Sequence, residues 1–281
     1  MKGILMIKDP ISLALIITDE QRSIASQYEL GFKFGDRGMH TSRTIMLDEL
    51  SVLLRIGKQD ANRNEYRALI VEENCLTKRT IATRKLTDQR LSELYALDAK
   101  VLLFRIMRKL WDSDENGHPL LAILLALARD PLLRFTSTPM LRLHQGNEFS
   151  RQAFTDILNK CTGSRFNEAT IDKIVRNTAS SWTQSGHLEG RTFKIRRTVC
   201  PTPAVVTFAL LMGYILGARG DVLFETLWAK VLDVSKDELI QIATDAKRFG
   251  YLDIKASGGI VDVSFQRLLT DEERRLIHGA N

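Results

Sequence analysis

Residues 198 to 218, TVCPTPAVVTFALLMGYILGA, carry no charged side chain. Such a stretch has to be covered by apolar surroundings, so it constrains the fold more than any other segment. It is either a membrane span or a helix inside a protein core. Pro201 and Pro203 deny a helix its first residues and leave Ala204 to Ala218, 15 residues, as the continuous part. At about 1.5 Å per residue, that helix is shorter than a bilayer core of about 30 Å. The segment is therefore read as a buried core helix, with membrane anchoring through 204–218 as the alternative.

The chain around it has 281 residues, 44% apolar and 26% charged. This is the balance of an ordinary globular protein, with room for one large core or several small ones. The start, MKGILMIKDPISLALIITDE, resembles a signal peptide only in its apolarity. Lys8, Asp9 and Pro10 interrupt it, and no small-residue cleavage site follows. Cys75, Cys161 and Cys200 are far apart and odd in number, without a CxxC pair. That spacing predicts reduced thiols in a cytoplasmic protein.

Most of the chain has helical spacing. Leu47, Leu50 and Leu54 mark one helix over Met46–Leu54, and another covers Glu65–Glu73. A long helix is predicted from Thr77, as its N-cap, through Trp111. The run DSDENGHP (112–119) is the clearest loop and a module boundary. Helices follow at 120–129 and near 131–143, then a loop, HQGNEFS. Beyond it one plan occurs twice. NEATIDKIVRNTASSWTQSGHLEGRTFKI and SKDELIQIATDAKRFGYLDIKASGGIVDVSF each read as helix, glycine stop, strand, turn, strand. Gly186 and Gly250 stop the two helices 64 residues apart. Ile260, Val261, Val263 and Phe265 supply the apolar side of the second hairpin. The fold class that follows is mainly α, with winged-helix-like units of helices plus short β-hairpins. Its parts are an N-terminal extension (1–40), a helix-turn-helix-like domain (41–116), and two winged-helix-like domains (117–200 and 201–281).

Lys and Arg total 40 against 34 acids, a net charge of +6, with a pI near 9.3. The location of that excess points to an anionic partner. On the first repeat helix, Ile171, Ile174, Val175 and Trp182 form the core side. Lys173, Arg176, Asn177, Ser180 and Gln184 form another side, without an acid among them. The hairpin after it carries Arg191, Lys194, Arg196 and Arg197. Alternation with an inward Phe193 and Ile195 predicts that Lys194 and Arg196 face outward, as a wing on phosphates. The competing reading is a solvated edge hairpin whose cations discourage strand pairing.

A second basic surface is EENCLTKRTIATRKLTDQRL, which places Lys78, Arg79, Arg84 and Lys85 in the first two turns of the long helix. Between Thr77 and Leu110 there are nine bases and three acids, a local excess equal to that of the whole chain. Here the competing reading is a charged helix paired with Glu72 and Glu73. In the second repeat, Lys236, Lys247 and Arg248 are offset by Asp237, Glu238 and Asp245. That unit suits a protein partner or another copy of the chain better than nucleic acid.

No catalytic or metal pattern stands out. His40, His118, His144, His187 and His278 are scattered, without HxxxH or HExxH spacing and with no cysteine at ligand distance. GARGD and ASGG match neither a P-loop nor a dinucleotide fingerprint, and TGSRF is not a nucleophile elbow. No aromatic-rich strand motif for stacking RNA bases occurs. These observations predict a non-enzyme that uses no cofactor, no metal and no small-molecule substrate.

The segment LDELSVLL…YRALIVEENCLTKRTIATRKLTDQRLSEL resembles the BrxA family of bacteriophage-exclusion (BREX) defence systems. The likeness rests on an acidic-apolar helix, then Glu73, Asn74, Leu76, the Lys78-Arg79-Thr80 run, Thr83, Arg84, Arg90 and Leu91. LLAILLALARDPLLRF and ATIDKIVRNTASSWTQSGHLEGR extend it, so that it covers residues 41 to 200. The resemblance implies a mainly helical, non-catalytic, double-stranded-DNA-binding component of a phage-defence operon, working beside other BREX proteins. The first 40 residues and the second helix–hairpin unit depart from the pattern and inherit nothing from it. A scaffold that assembles larger defence enzymes is the alternative function.

Overall fold

The computed structural model describes residues 29–257 and 260–278. The signal-like start, residues 1–28 of the expected extension, and the Gly258–Gly259 turn lie outside the described residues. The described residues are mainly helical, with two short two-stranded antiparallel hairpins.

Among the described residues, the first α-helices are α1 (Leu47–Ile56), α2 (Arg63–Val71) and α3 (Ile81–Tyr95). A capping box starts α2: the Asn62 side chain accepts from the Asn64 and Glu65 amides, and Glu65 answers to the Asn62 amide. The predicted long helix from Thr77 to Trp111 is two helices, α3 and α4 (Leu102–Ser113). The break lies at Ala96 and Leu97, both left-handed (φ 67° and 53°), which costs about 1–2 kcal/mol each. Burial of Ala96, Leu97 and Val101 offsets that cost and folds α4 back along the core. Helices α5 (His118–Arg129), α6 (Pro131–Phe135) and α7 (Ser137–Arg142) follow, then α8 (Arg151–Thr162) and α9 (Glu168–Gln184).

Both repeats have the predicted plan. In the first, α9 ends at Gly186 (φ +86°) and leads to β1 (Leu188–Glu189) and β2 (Ile195–Arg196). Between the repeats lie α10 (Pro203–Ile215) and α11 (Leu227–Lys230). The second repeat has α12 (Lys236–Arg248), Gly250 (φ +74°), β3 (Asp253–Ser257) and β4 (Ile260–Ser264), followed by α13 (Asp271–His278). Val261, Val263 and Phe265 are buried, as the alternation predicts. The side chain of Ile260 lies outside the described residues.

The uncharged segment is α10. Thr202 caps it, Pro203 opens it, and every residue from Ala204 to Ile215 is buried. It packs on α4, α5, α11 and α12 and so joins the second repeat unit to the N-terminal helices. Among the described residues no helix is long and apolar enough to cross a membrane.

One apolar cluster runs from Leu30 to Ile277 across the expected module boundaries. Leu30, Phe32, Phe34 and Met39, expected within the extension, belong to it or pack against it. Leu30 and Phe32 are buried, and the Lys33 amide donates to the Ala128 carbonyl. Buried charges tie the layers together. Arg108 donates to the carbonyls of Leu54 and Gly57. His40 lies between Asp130 (Nδ1 to Oδ2, 2.9 Å) and Ser181 (Nε2 to Oγ, 2.8 Å).

Candidate nucleic-acid interface

The turn before α3 is built by two residues with positive φ, Asn74 (52°) and Thr77 (51°). The Asn74 side chain accepts from the Lys78 amide at 2.8 Å. An N-cap needs an extended backbone, and Thr77 does not have one. Thr80 does, and its hydroxyl accepts from the Thr83 amide. The cap is therefore Thr80, and Lys78 and Arg79 precede the helix instead of lying in its first turn.

The four cations of this surface have different partners. Lys78 pairs with Glu49 of α1 at 3.1 Å. Arg84 reaches back to the carbonyls of Lys78 (3.4 Å) and Val71 (3.2 Å), which ties the turn to the end of α2. Arg79 and Lys85 are exposed and have no partner among the described residues. The expected competitors Glu72 and Glu73 are exposed and form no ion pair among the described residues. Asp88 is buried, bound by Arg63 (2.7 Å) and Arg67 (3.5 Å). The outer side of the first turns of α3 thus presents Arg79, Lys85 and Gln89 beside exposed Ile81 and Leu86, with no carboxylate among them.

The second surface differs more from its expectation. Lys173 and Arg191 are exposed and unpaired among the described residues. Arg176 is exposed, but Asp172 pairs with it at 3.1 Å and also takes Arg151. Asn177 turns inward and donates to the His40 carbonyl at 2.7 Å, so it leaves the contact face. Gln184 accepts from the Leu47 amide at the start of α1.

In the hairpin the predicted facing is inverted. Arg196 is 4% exposed and Phe193 is 70% exposed. The register sets Arg196 opposite the buried Leu188, on the side that meets Asp233. Its guanidinium binds that carboxylate and the His187 and Arg197 carbonyls. With a period of two, one residue of slip moves every side chain to the other face. Lys194 shares that side and is half-buried. Its ammonium donates to Thr183 (2.8 Å) and to the Gly190 carbonyl (3.1 Å), and burial lowers its pKa. Arg197 is half exposed and pairs with Glu189 at 2.6 Å.

The outer edge of β2 is occupied. The Phe149 amide donates to the Lys194 carbonyl (2.8 Å), and the Arg196 amide donates to the Asn147 carbonyl (2.9 Å). The HQGNEFS segment, expected to be a plain loop, therefore lines this strand, and no open edge is left there for cations to guard.

The two surfaces are far apart in sequence, but each has a residue anchored on the first turn of α1. Lys78 binds Glu49, the Leu47 amide binds Gln184, and Thr183 binds Lys194. The sequence reading missed the Phe193 tip. Its signal was the tight turn at Gly190 (φ +108°), where a Cβ would stand 2.1 Å from the Phe193 carbonyl oxygen.

Two histidines, His40 and His187, are fully buried. Asp130, His40 and Ser181 follow one another in the order of a nucleophile triad, but all three are buried. The Ser181 oxygen also meets the Ile45 amide and the Asn177 carbonyl, which leaves a substrate no approach. Burial alone would raise the Asp130 carboxyl. The His40 charge and hydrogen bonds from His40, Leu133 and Met39 outweigh it and hold the group low. His187 is buried against the Val231 carbonyl. Burial lowers its pKa from the ordinary 6.5 to about 4, against the pull of Asp233. Among the described residues no group of three or more His, Cys, Asp or Glu is placed to hold a metal ion. Neither the protein-family models nor the curated proteins compared with the chain match it.

Proposed function

We propose that this chain binds double-stranded DNA through its phosphates, with α3 and the α9–β1–β2 unit acting as recognition helix and wing. The observation that carries the reading is the division of labour among the cations. Lys78, Arg84, Lys194 and Arg196 are spent on holding the fold, whereas Arg79, Lys85, Lys173 and Arg191 are exposed and, among the described residues, unpaired. Exposed cations without protein counter-ions release the condensed ions of a polyanion when it binds. Arg176 and Arg197 lie beside them and can exchange their exposed carboxylate partners for phosphate. The resemblance to the BrxA family gives the setting, a cytoplasmic, non-catalytic component of a BREX-type anti-phage system that needs no cofactor.

Gel shifts with duplex, single-stranded and RNA probes at about 50 and 200 mM salt test this reading. Duplex is expected to shift most strongly at low salt, and Lys173→Ala/Arg191→Ala weakens that shift. Equal shifts by all three probes, or an unaltered shift in the variant, contradict it.

A scaffold for larger defence proteins is the second reading. The exposed apolar residues Ile81 and Leu86 on α3 favour it, as does Phe249, 65% exposed and stacked on Tyr251. Partners that survive nuclease treatment in a pull-down support the scaffold, and partners lost with the nucleic acid support the DNA reading.

A further inference from the structure

A cavity of about 440 Å³ opens between residues 32–39, the C-terminal part of α3 and the end of α5. Small-molecule sites span about 300–1,000 Å³. Among the described residues, the wall carries Lys33, Arg37 and Arg129 with the carboxylate of Glu93, and Phe34 and Met39 as apolar surface. Two further acids of the described residues are engaged elsewhere. Asp36 pairs with Arg165 at 2.6 Å, and Asp130 is taken by the His40 ring and the amides of Met39, His40 and Leu133.

Arg129 cannot swing away. Its guanidinium donates to the carbonyls of Gly31 (2.7 Å), Glu93 (3.1 Å) and Ser92 (3.4 Å). Lys33 is half-buried, and its ammonium has no acceptor among the described residues. Burial first, and the Arg129 charge second, hold its pKa below the ordinary lysine value, against Glu93 and Asp130. Like charges fixed beside an opening are stabilised by an anion that enters it. A phosphoryl group supplies paired charge and several acceptors at once.

We propose that this cavity binds a small phosphate-bearing molecule, its phosphoryl group at Lys33 and Arg37 and its apolar or flat body along Phe34 and Met39. The site departs from the expectation that no small molecule is a partner, and it does not depend on the DNA reading.

The test is titration calorimetry of the full chain with adenosine 5′-monophosphate, adenosine and inorganic phosphate. The monophosphate binds, adenosine does not, and inorganic phosphate competes with the monophosphate. Lys33→Gln/Arg37→Gln weakens monophosphate binding by about tenfold or more, the effect of losing charge-assisted contacts. Arg37 is exposed, so Arg37→Gln alone keeps the fold and is expected to give a smaller loss in the same direction. Absent monophosphate binding, equal binding of adenosine, or unaltered affinity in both variants overturns the proposal. Displacement of the monophosphate by a short duplex overturns it as well and assigns the cavity to the DNA backbone. A duplex that leaves the monophosphate in place supports a separate site.

Discussion

Arg191 and Arg196 stand five residues apart on one hairpin, one exposed and unpaired, the other buried against Asp233. No local pattern separates them, because the deciding carboxylate lies 37 residues further along the chain. Lys78 has the same history with Glu49, 29 residues before it. A basic run is legible in a sequence. Which of its members remain available to a ligand depends on partners that the fold brings in. Asp233→Asn leaves Arg196 buried without its counter-charge and should cost about 3–5 kcal/mol in chemical denaturation; a loss below about 1 kcal/mol would mark the pair as ornamental. Nearby, His187 stays neutral in the fold down to about pH 4 but takes a proton near 6.5 when unfolded. Its contribution to stability is complete above pH 6.5 and declines as the pH falls from 6.5 to 4, by about 3 kcal/mol over that window. His187→Gln should flatten that part of a stability–pH profile, and a wild-type profile already level there would refute the assignment.

The helices and hairpins were more legible than the side-chain partners. Gly186 and Gly250 sit where the helix stops were read, because a left-handed residue after a helix favours glycine for a local reason. The end of α3 was not legible. Ala96 and Leu97 carry no turn signal, and they adopt positive φ only because the core takes both side chains. The cap was also misplaced, since two threonines, Thr77 and Thr80, both suit the role and only backbone conformation separates them. Thr80→Ala should cost about 1 kcal/mol and loosen the start of α3, just before Lys85, lowering duplex affinity alongside. At the hairpin tip, Gly190→Ala forces a Cβ against the Phe193 carbonyl at a left-handed position. A loss of about 1–3 kcal/mol is expected, with helical circular dichroism retained at low temperature. Unaltered stability would show that the tip relaxes freely.

At the scale of the molecule, α10 was the surest inference from sequence, because an uncharged run of that length has few places to go. What surrounds it was not legible: α4 and α5 from the N-terminal half and α12 from the C-terminal repeat pack against the same helix. A shared core predicts one unfolding transition, with circular dichroism coincident with the fluorescence of Trp111, Trp182 and Trp228, which lie in different parts of it. Two separated transitions would mean that the repeat units fold apart. The same continuity anchors the start of α3 and the end of α9 on the first turn of α1. The most direct measurement is fluorescence anisotropy of a labelled duplex across a salt series, comparing wild type with Arg79→Ala/Lys85→Ala/Lys173→Ala/Arg191→Ala. Each lost phosphate contact lowers the slope of log affinity against log salt by about 0.9. The account predicts a shallower slope by about three to four units, with the melting temperature unaltered. A wild type that does not bind at low salt, or a variant with the same slope, would contradict it.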